Sequence, residues 1–362
     1  MLFSPSLSLY FGKWFAKNAV LVFVAAFCLM LIIDFMELAR RGGDLDVPVA
    51  IIALISATRL PTLAEQLLPF AVLIGALLTL VALSRRSELV IARASGVSAW
   101  QFLLPLLIVA AGFGAFATFA YNPLATQLKQ TSDRLLAERF GGTAASLQPD
   151  QEIWFRQADE AGSTIIRALS SGDEGTTLFQ MSAFSFDEDG AFMRRVDTPR
   201  AELRNGAWHM ATATLVDDDG AQRTENDYSV PTTLSPAEVS GRFTPANHLP
   251  IWQLSRFAEK AQLAGLSSHH YKFQFQALLA RPLLLMAMVL VAATVSLRFS
   301  RQGGTTQLVI AGLSAGFIVF VINEIAGDLG AAGLVPAVLA AWAPPLAAGL
   351  FGVTVLLHLE DG

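Results

Sequence analysis

The chain has 362 residues, of which 53% are hydrophobic and 15% are charged, and its formal net charge at pH 7 is −5. Soluble proteins carry about 25% charged residues. The composition therefore excludes an ordinary soluble enzyme, a disordered chain and a nucleic-acid-binding protein with a basic surface. The single cysteine, Cys28, excludes an internal disulfide and a cysteine metal cluster. The sequence predicts an integral membrane protein.

Charge is distributed unevenly along the chain, and the distribution predicts two kinds of region. Residues 122–270 hold 20 acidic and 13 basic residues, a net charge of −7. The rest of the chain holds 10 acidic and 12 basic residues and is otherwise apolar. We therefore expect a polar, acidic domain inserted between two membrane-embedded regions.

Six stretches are apolar and long enough to cross a bilayer, which takes about 20 residues in a helix. Three precede the polar region and three follow it, so both termini are predicted on the same side of the membrane. The first is followed by Asp34-Phe35-Met36-Glu37 rather than a small-residue cleavage site, so it is predicted to be a retained span and not a signal peptide. The predicted spans cover about residues 18–33, 66–84, 101–121, 273–297, 302–323 and 336–358.

Polar and small residues inside these spans are candidate structural or functional positions. Arg281 interrupts the fourth span, and Glu324 lies at the end of the fifth. A charge at the bilayer centre costs about 2.5–3.5 kcal/mol, so both side chains should face protein or water, either as partners or in a moving interface. Gly312-x-x-x-Gly316 in the fifth span predicts either ordinary helix packing or a smooth cavity wall.

A charged segment joins the second and third spans. Residues 85–98 read Arg-Arg-Ser-Glu-Leu-Val-Ile-Ala-Arg-Ala-Ser-Gly-Val-Ser and favour a short helix that ends at Gly96, a residue suited to a C-cap. The segment is either a plain basic loop or a coupling helix that docks onto a cytoplasmic ATPase. In the second case the small residues Ala94, Ser95 and Gly96 would allow the two backbones to approach closely.

The polar region 122–270 is predicted to be a β domain with helical connectors at 124–140 and 251–264. Its apolar, β-branched runs are separated by Asp189-Gly190, Asn205-Gly206 and Asp219-Gly220, dipeptides that suit tight hairpin turns. At least four strands are thus predicted to be antiparallel neighbours, in a sandwich or an open barrel of six or more strands. The runs are 153–156, 163–168, 177–186, 192–203, 208–216 and 223–232.

Lysine and arginine in short loops predict the orientation, because cytoplasmic loops are enriched in these residues. If the N-terminus is cytoplasmic, the short loops and ends on that side hold seven such residues. The opposite short loops hold three, Arg40, Arg41 and Arg59. The N- and C-termini are therefore predicted in the cytoplasm and the acidic domain outside.

Sequence motifs for catalysis are absent. The chain has no phosphate-binding loop, no His-Glu-x-x-His pair and no Gly-x-Ser-x-Gly turn. The triplet Asp217-Asp218-Asp219 runs into a turn glycine, which favours a solvated hairpin tip over a calcium site. We therefore expect no catalytic residue, no metal site and no cofactor in this chain.

The segment 85–98 resembles the signature of a known family. Its Arg-Ser-Glu-Leu-x-x-x-x-Ala-Ser-Gly pattern is similar to that of the lipopolysaccharide export permeases LptF and LptG, the YjgP/YjgQ family. Smaller similarities extend along nearly the whole chain and resemble the LptG branch more than the LptF branch. These are Tyr10-x-Gly12-Lys13, Arg40-Arg41, Leu73-x-Gly75-Ala76-Leu77-Leu78, Gly141-Gly142, Trp154 and Pro282.

The resemblance implies a membrane α-helical bundle of six transmembrane helices with an inserted periplasmic all-β, jellyroll-like domain. With the charge pattern, it predicts transmembrane helices 1–3 in residues 1–121, including the coupling helix 85–98. The periplasmic domain with its connectors is then 122–270, and transmembrane helices 4–6 are 271–362.

The function implied by the resemblance is that of a permease subunit of an ABC transporter in the bacterial inner membrane. Such a transporter extracts lipopolysaccharide and passes it to a periplasmic bridge towards the outer membrane. The implied partners are the paired permease LptF, the LptB ATPase dimer, LptC and LptA, with ATP hydrolysis by LptB and no role for nucleic acid.

Two groups of site residues follow from the resemblance and from chemistry. The ATPase-coupling residues are predicted to be Arg86, Ser87, Glu88, Leu89, Ala94, Ser95 and Gly96. Cations that bind lipid phosphates are predicted to be Arg40, Arg41, Arg59 and Arg134, with solvated loop arginines as the alternative. Asp34 stands where some LptG relatives carry lysine, and it would pair with Arg40 or Arg41 or bind through a divalent ion.

Other functions remain open on the residues alone. The chain is either of the LptG type or its LptF paralogue, or a permease of another ABC system for lipoproteins or peptides, which usually has four spans per chain. A membrane-anchored enzyme or scaffold is the third class. It would need a catalytic cluster or a peptide groove in residues 122–270.

Overall fold

In the computed structural model, long helices precede and follow a β-sheet in the order of the sequence. It describes residues 5–42, 47–86, 88, 98–140, 153–159, 162–172, 176–187, 190–217, 220–232, 246, 249–263, 267–299 and 305–361. The helices before the sheet are α1 (Pro5–Gly42), α2 (Val49–Ala64), α3 (Leu68–Arg85), α4 (Ala99–Phe116) and α5 (Asn122–Phe140). A 3-10 turn, Glu65–Leu67, joins α2 to α3, and a π-helical turn, Ala117–Tyr121, joins α4 to α5.

The sheet and the remaining helices follow in chain order. The strands are β1 (Ile153–Asp159), β2 (Gly162–Ala168), β3 (Ser170–Gly172), β4 (Thr177–Phe186), β5 (Phe192–Arg204), β6 (Ala207–Asp217) and β7 (Gln222–Pro231). The helices after the sheet are α6 (Ile251–Leu263), α7 (His269–Phe299), α8 (Thr305–Ala331) and α9 (Ala337–Asp361).

Six helical segments of the described chain are long and apolar enough to cross a membrane, which confirms the predicted number. All but the last are longer than predicted, because the helix continues past the charged residues at its ends. The segments are Leu7–Arg40, Val49–Arg85, Ala99–Leu136, His269–Ser296, Gln307–Ala331 and Ala337–His358.

The second span departs most from its prediction. The helix begins at Val49 instead of about residue 66, so the predicted loop around Arg59 is wrong. Residues 49–64 carry a single charge and form α2, which includes Pro61. Pro69 lies in the first turn of α3, where a missing N–H leaves no hydrogen bond unmade.

The chain folds into two compact units. The first comprises Met1–Ile33, Leu60–Leu124 and His269–Gly362. Its buried core is formed mainly by apolar side chains of α1, α3, α4 and α7, with Leu308 of α8 and Leu356 of α9. Small residues bring these helices together, as where Gly75 of α3 meets the backbone of Ala19 in α1.

The second unit comprises Asp34–Arg59 and Ala125–Ser268 and contains the sheet. Neighbouring strands are antiparallel in the order β1-β2-β4-β5-β6-β7, and β3 pairs with β4. At the β5–β6 turn, φ is 50° at Asn205 and 74° at Gly206, the left-handed geometry that Asn-Gly favours. The antiparallel hairpins and the helical connectors are therefore confirmed.

One face of the sheet forms the core of this unit, because buried and exposed side chains alternate along its strands. A sandwich would divide the strands between two sheets, whereas the described strands form one. A smaller apolar cluster joins the helix ends of the same unit to the residue that follows β2. It consists of Leu38, Ile52, Ile55, Leu136 and Leu169.

Candidate functional site

The start of the predicted coupling segment is held against the first helix. Arg86 is the C-cap of α3, and its backbone N–H donates to the carbonyl of Ala82 at 3.1 Å. Its guanidinium lies 4.6 Å from the centre of the Trp14 ring, which is cation–π geometry. Arg86 Nη1 also lies 4.0 Å from Glu88 Oε1. The segment thus begins at a side chain that contacts both α1 and its own next turn.

Of the predicted coupling residues, Arg86 and Glu88 belong to the described part of the chain. Ser87, Leu89, Ala94, Ser95 and Gly96 lie outside the described residues. After this segment, at the start of α4, the backbone N–H of Ser98 donates a hydrogen bond to Gln101 Oε1 at 3.2 Å. The predicted coupling helix and its end at Gly96 therefore stay predictions.

The four arginines predicted to bind phosphate differ in their surroundings. Arg59 lies in α2 rather than in a loop, and its Nη2 is 3.0 Å from Asp34 Oδ1. Arg40 is 74% exposed and pairs with Glu37 one turn earlier in α1. Arg134 is exposed on α5, and Arg41 lies in α1 with its side chain outside the description. Exposed guanidinium groups at Arg40 and Arg134 are thus available to an anion from solution.

Asp34 has a partner that the sequence analysis did not anticipate. Its carboxylate accepts a hydrogen bond from Ser56 Oγ at 2.8 Å in addition to the ion pair with Arg59. The predicted pairing with Arg40 or Arg41 is wrong for Arg40, because α2 runs beside Asp34 and supplies a nearer guanidinium. The aspartate is 9% exposed, so this pair is largely removed from water.

A second pair of charges lies close to the first. Lys129 and Asp133 are four residues apart on α5, and both are buried. The Lys129 ammonium interacts electrostatically with Asp133 and with Arg59. Sequence reasoning missed these residues, although lysine and aspartate at i and i+4 are a recognisable signal for a helical ion pair.

Arg281 in the fourth span forms a largely buried ionic contact within the first unit. Its Nη1 lies 2.8 Å from Glu65 Oε2, and Asn122 Nδ2 donates to Glu65 Oε1 at 3.2 Å. The possibility that Arg281 pairs with Glu324 is wrong, because Glu65 supplies the carboxylate. Sequence reasoning missed Glu65, which precedes the predicted second span by one residue.

This network lies where two helices change their geometry. Glu65 belongs to the 3-10 turn between α2 and α3, and Asn122 directly follows the π-helical turn after α4. The hydroxyl of Tyr121 donates to the carbonyl of Pro61 at 3.0 Å. Polar side chains thus hold the second, third and fourth spans together near these two irregular turns, as charged groups inside a membrane domain require.

Gly312 and Gly316 pack against α3 of the same chain. A Cβ atom on Gly312 would lie 2.7 Å from Leu77 Cδ1, and one on Gly316 would lie 2.2 Å from Leu73 Cδ2. The motif therefore serves helix packing between the fifth and second spans. An apolar cavity of about 560 Å³ lies elsewhere, between α7, α8 and α9.

The other face of the sheet carries arginines stacked on aromatic rings. Arg195 lies over Phe184, Arg200 over Phe179 and Arg167 over Trp154, at 5.7–6.0 Å from the ring centres. A hydrogen bond to Asp197 raises the pKa of Arg195 above its ordinary high value, so this guanidinium stays charged. This face is polar, whereas the core face is apolar.

The described part of the chain contains no cluster of side chains suited to bind a metal ion. No group of three or more His, Cys, Asp or Glu side chains there is arranged to hold an ion. The observed groups are cations, ion pairs and apolar surfaces.

The fold and these groups define a polytopic membrane protein that carries a β domain between its third and fourth spans. The family model for the lipopolysaccharide export system permease LptF/LptG matches residues 9–358. The chain therefore belongs to the LptF/LptG family, whose members are transporter permease subunits and not themselves catalytic. The family predicted from segment 85–98 is thus confirmed.

Two curated relatives show how far the similarity extends. The lipopolysaccharide export system permease protein LptG of Escherichia coli strain K12 is 23% identical over 356 residues, which cover 96% of this chain and 97% of the relative. The protein of the same name from Haemophilus influenzae is 21% identical over 347 residues, which cover 94% and 95%. The similarity therefore includes both the spans and the β insertion.

Proposed function

We propose that this chain is the LptG-type permease subunit of an ABC transporter that extracts lipopolysaccharide from the inner membrane and passes it to a periplasmic bridge towards the outer membrane. In this proposal its partners are the LptF permease, the LptB ATPase dimer, LptC and LptA. The family match over residues 9–358 is the observation that carries the proposal. The choice of the LptG branch over LptF rests on the smaller sequence similarities, such as Tyr10-x-Gly12-Lys13 and Arg40-Arg41.

The physical task explains why such a chain combines spans with an apolar sheet face. Exposing an acyl chain of about a dozen carbons to water costs roughly 10 kcal/mol at about 0.8 kcal/mol per methylene. Extraction therefore needs an energy source and a continuous apolar route. The spans are apolar, and the β domain has an apolar interior built from buried residues such as Trp208, Met210 and Leu215.

The proposed orientation has both termini in the cytoplasm and the β domain in the periplasm. It rests on the excess of lysine and arginine in the short loops on the side of the N-terminus. In this orientation Arg86 and Glu88 face the cytoplasm and are available to the ATPase. The exposed cations Arg40 and Arg134 then lie at the periplasmic side, where lipid phosphates would emerge.

The phosphate-binding role is assigned mainly to Arg40, Arg41 and Arg134. Arg59 is 19% exposed and its charge is compensated by Asp34, so it is expected to contribute less to phosphate binding. We expect Arg40→Glu with Arg41→Glu to reduce crosslinking of lipopolysaccharide to the transporter. If crosslinking is unchanged, these two arginines are solvated surface residues that do not bind lipid phosphate.

Reconstitution tests the proposed function. The chain is co-expressed with LptF, LptB and LptC and placed in liposomes with lipopolysaccharide, and ATP-dependent transfer to LptA is followed by photo-crosslinking. We expect co-purification of the ATPase and transfer that depends on ATP. Failure of the chain to retain LptB, or transfer without this chain, would refute the proposal.

Two comparisons sharpen this experiment. Glu88→Ala is expected to reduce both ATPase retention and transfer, whereas Glu259→Ala, which removes an exposed carboxylate on α6, should change neither. Co-expression with LptF should assemble a transporter and co-expression with an LptG from a related organism should not. The opposite pairing would assign the chain to the LptF branch.

A further inference from the structure

Three side chains form a continuous stack between the first helix and the end of α3. The rings of Tyr10 and Trp14, one turn apart on α1, are nearly parallel at 25° with centres 6.0 Å apart. The Arg86 guanidinium lies over the Trp14 ring at 4.6 Å. The stack therefore joins α1 directly to the first residue after the second span.

Within the first unit, α1 is attached to the bundle mainly by its N-terminal third. Phe11, Phe15 and Ala19 are buried, and Asn18 Nδ2 donates to Thr79 Oγ1 at 2.9 Å. After Ala19 the large apolar side chains of the span are mostly exposed, and only 6% of its most apolar stretch is buried. Up to Ile33, where the first unit's part of α1 ends, the exposed ones are Val20, Leu21, Val24, Leu29, Ile32 and Ile33. A displacement of this attached third would therefore move the exposed part of α1.

Arg86 is suited to pass on such a displacement. Its backbone continues α3 through the hydrogen bond to Ala82, and its side chain contacts Trp14 and Glu88. A guanidinium stacks flat on an aromatic ring, whereas an ammonium is a flexible point charge. Force applied to segment 85–98 thus reaches α3 through the backbone of Arg86 and α1 through the stack.

We infer that Trp14 is a positioning residue that transmits movement of the coupling segment to α1 through its stack with Arg86. The inference rests on the proposed function, because it requires an ATPase that binds segment 85–98. A substitution of Trp14 removes the aromatic face that contacts Arg86 and leaves the segment that docks onto the ATPase unchanged. Association with the ATPase and movement of α1 are therefore separable measurements.

The chain contains a natural probe for this movement. Cys28 is its single cysteine and lies exposed on the part of α1 beyond the attached third. A spin label on Cys28 reports the surroundings of α1 in the assembled transporter, provided that the partner subunits carry no cysteine. The experiment compares the spectrum in nanodiscs without nucleotide and with ATP plus vanadate.

Trp14→Leu keeps an apolar side chain but removes the aromatic face. We expect it to retain the ATPase and hydrolyse ATP, while the nucleotide-dependent change at Cys28 and the lipid released per ATP fall by about twofold to fivefold, the size expected for one exposed cation–π contact. Trp14→Phe should give an intermediate response, since its ring offers a weaker cation–π partner. Trp252→Leu, an exposed tryptophan on α6, is the matched control and should leave both readouts unchanged.

A second variant separates the stack from an ordinary tryptophan at the membrane surface. Arg86→Gln leaves Trp14 in place, so an anchoring role alone predicts a normal Cys28 response per bound ATPase. The inference predicts the same loss as Trp14→Leu and no further loss in the double variant. A normal response in Trp14→Leu or in Arg86→Gln overturns the inference. Failure of the unsubstituted chain to bind the ATPase overturns the proposed function instead, and that result appears before any label is read.

Discussion

Glu65 and Arg281 are 216 positions apart in the chain, yet their charged atoms lie 2.8 Å apart. Both side chains are largely buried, at 9% and 18% exposure. A buried ion pair gains little over a neutral pair, because desolvation of the charges offsets their attraction. Removal of one partner is costly, since the remaining charge stays buried alone. The pair therefore specifies which spans adjoin more than it adds stability.

This reasoning gives a prediction for the Arg281 site. Arg281→Gln leaves the Glu65 carboxylate with Asn122 and should lower the free energy of unfolding by about 3–5 kcal/mol. The double variant Glu65→Gln with Arg281→Gln should recover more than half of that loss, because neither side chain is then charged. Thermal unfolding in detergent measures both. Glu324→Gln, an exposed carboxylate on α8, is the control, and equal losses in the single and double variants would contradict the prediction.

Asp34 and Arg59 form a similar contact in the second unit. Asp34→Arg would place two guanidinium groups together in a largely buried position and is expected to prevent stable folding. Combining it with Arg59→Asp restores opposite charges and should restore most of the folded yield, measured by size-exclusion chromatography.

An exposed ion pair supplies the comparison for Asp34. Arg40→Ala removes the contact to Glu37 at the surface of α1 and should change the free energy of unfolding by less than about 1 kcal/mol. If Asp34→Arg is tolerated as well as Arg40→Ala, the ion pair with Arg59 is not important for the fold.

At the scale of elements, small residues decide how closely the helices approach. A Cβ atom on Gly114 of α4 would lie 2.3 Å from Pro282 Cα of α7, so the two backbones are in direct contact there. Apolar burial cannot drive this contact in lipid, where the tails are as apolar as the side chains. Close packing around glycine supplies the attraction instead.

Gly114 and Gly112 on the same helix allow a matched test of this packing. Gly114→Ala must push α4 away from Pro282 and should lower the free energy of unfolding by about 1–3 kcal/mol, the range for overpacked cores. Gly112→Ala meets no atom within 4 Å and should be neutral or slightly stabilising, because alanine favours helix. Thermal unfolding measures the stability of both variants. If the Gly114→Ala protein is as stable as the Gly112→Ala protein, the packing argument is contradicted.

At the scale of the whole molecule, the chain combines two regions of different composition, apolar spans and an acidic, polar insertion. The spans are apolar because they face hydrocarbon or each other, and the acidic charge is concentrated in the inserted region. The sheet hides one apolar face and shows arginine and aromatic side chains on the other.

The proposed orientation has a direct test. In a Cys28→Ser background, Thr224→Cys on β7 should react with a membrane-impermeant maleimide in cells whose outer membrane is permeabilised. Lys13→Cys on α1 should react only after the inner membrane is opened, because the proposed orientation has this residue on the cytoplasmic side. Both positions are exposed, so burial does not hide either cysteine. The reverse pattern would invert the topology.

The prediction from sequence was best where the signal is local. Hydrophobic length identified six spans, and alternation with Asn-Gly or Asp-Gly turns identified the strands from β4 to β7 nearly to the residue. It failed at α2, since a single arginine and a proline in residues 49–64 imitate a loop. Segment 85–98 carried the family signal, although most of its residues lie outside the described structure.

The sequence by itself determined the number of spans, the antiparallel hairpins and the family, because each depends on residues that are neighbours in the chain. Only the tertiary structure decided that Arg281 pairs with Glu65, that Arg59 pairs with Asp34 and that Arg86 stacks on Trp14. The physical reason is that the free energy of a buried charge depends on the groups around it in space. Those groups come from other helices, which no local pattern reveals.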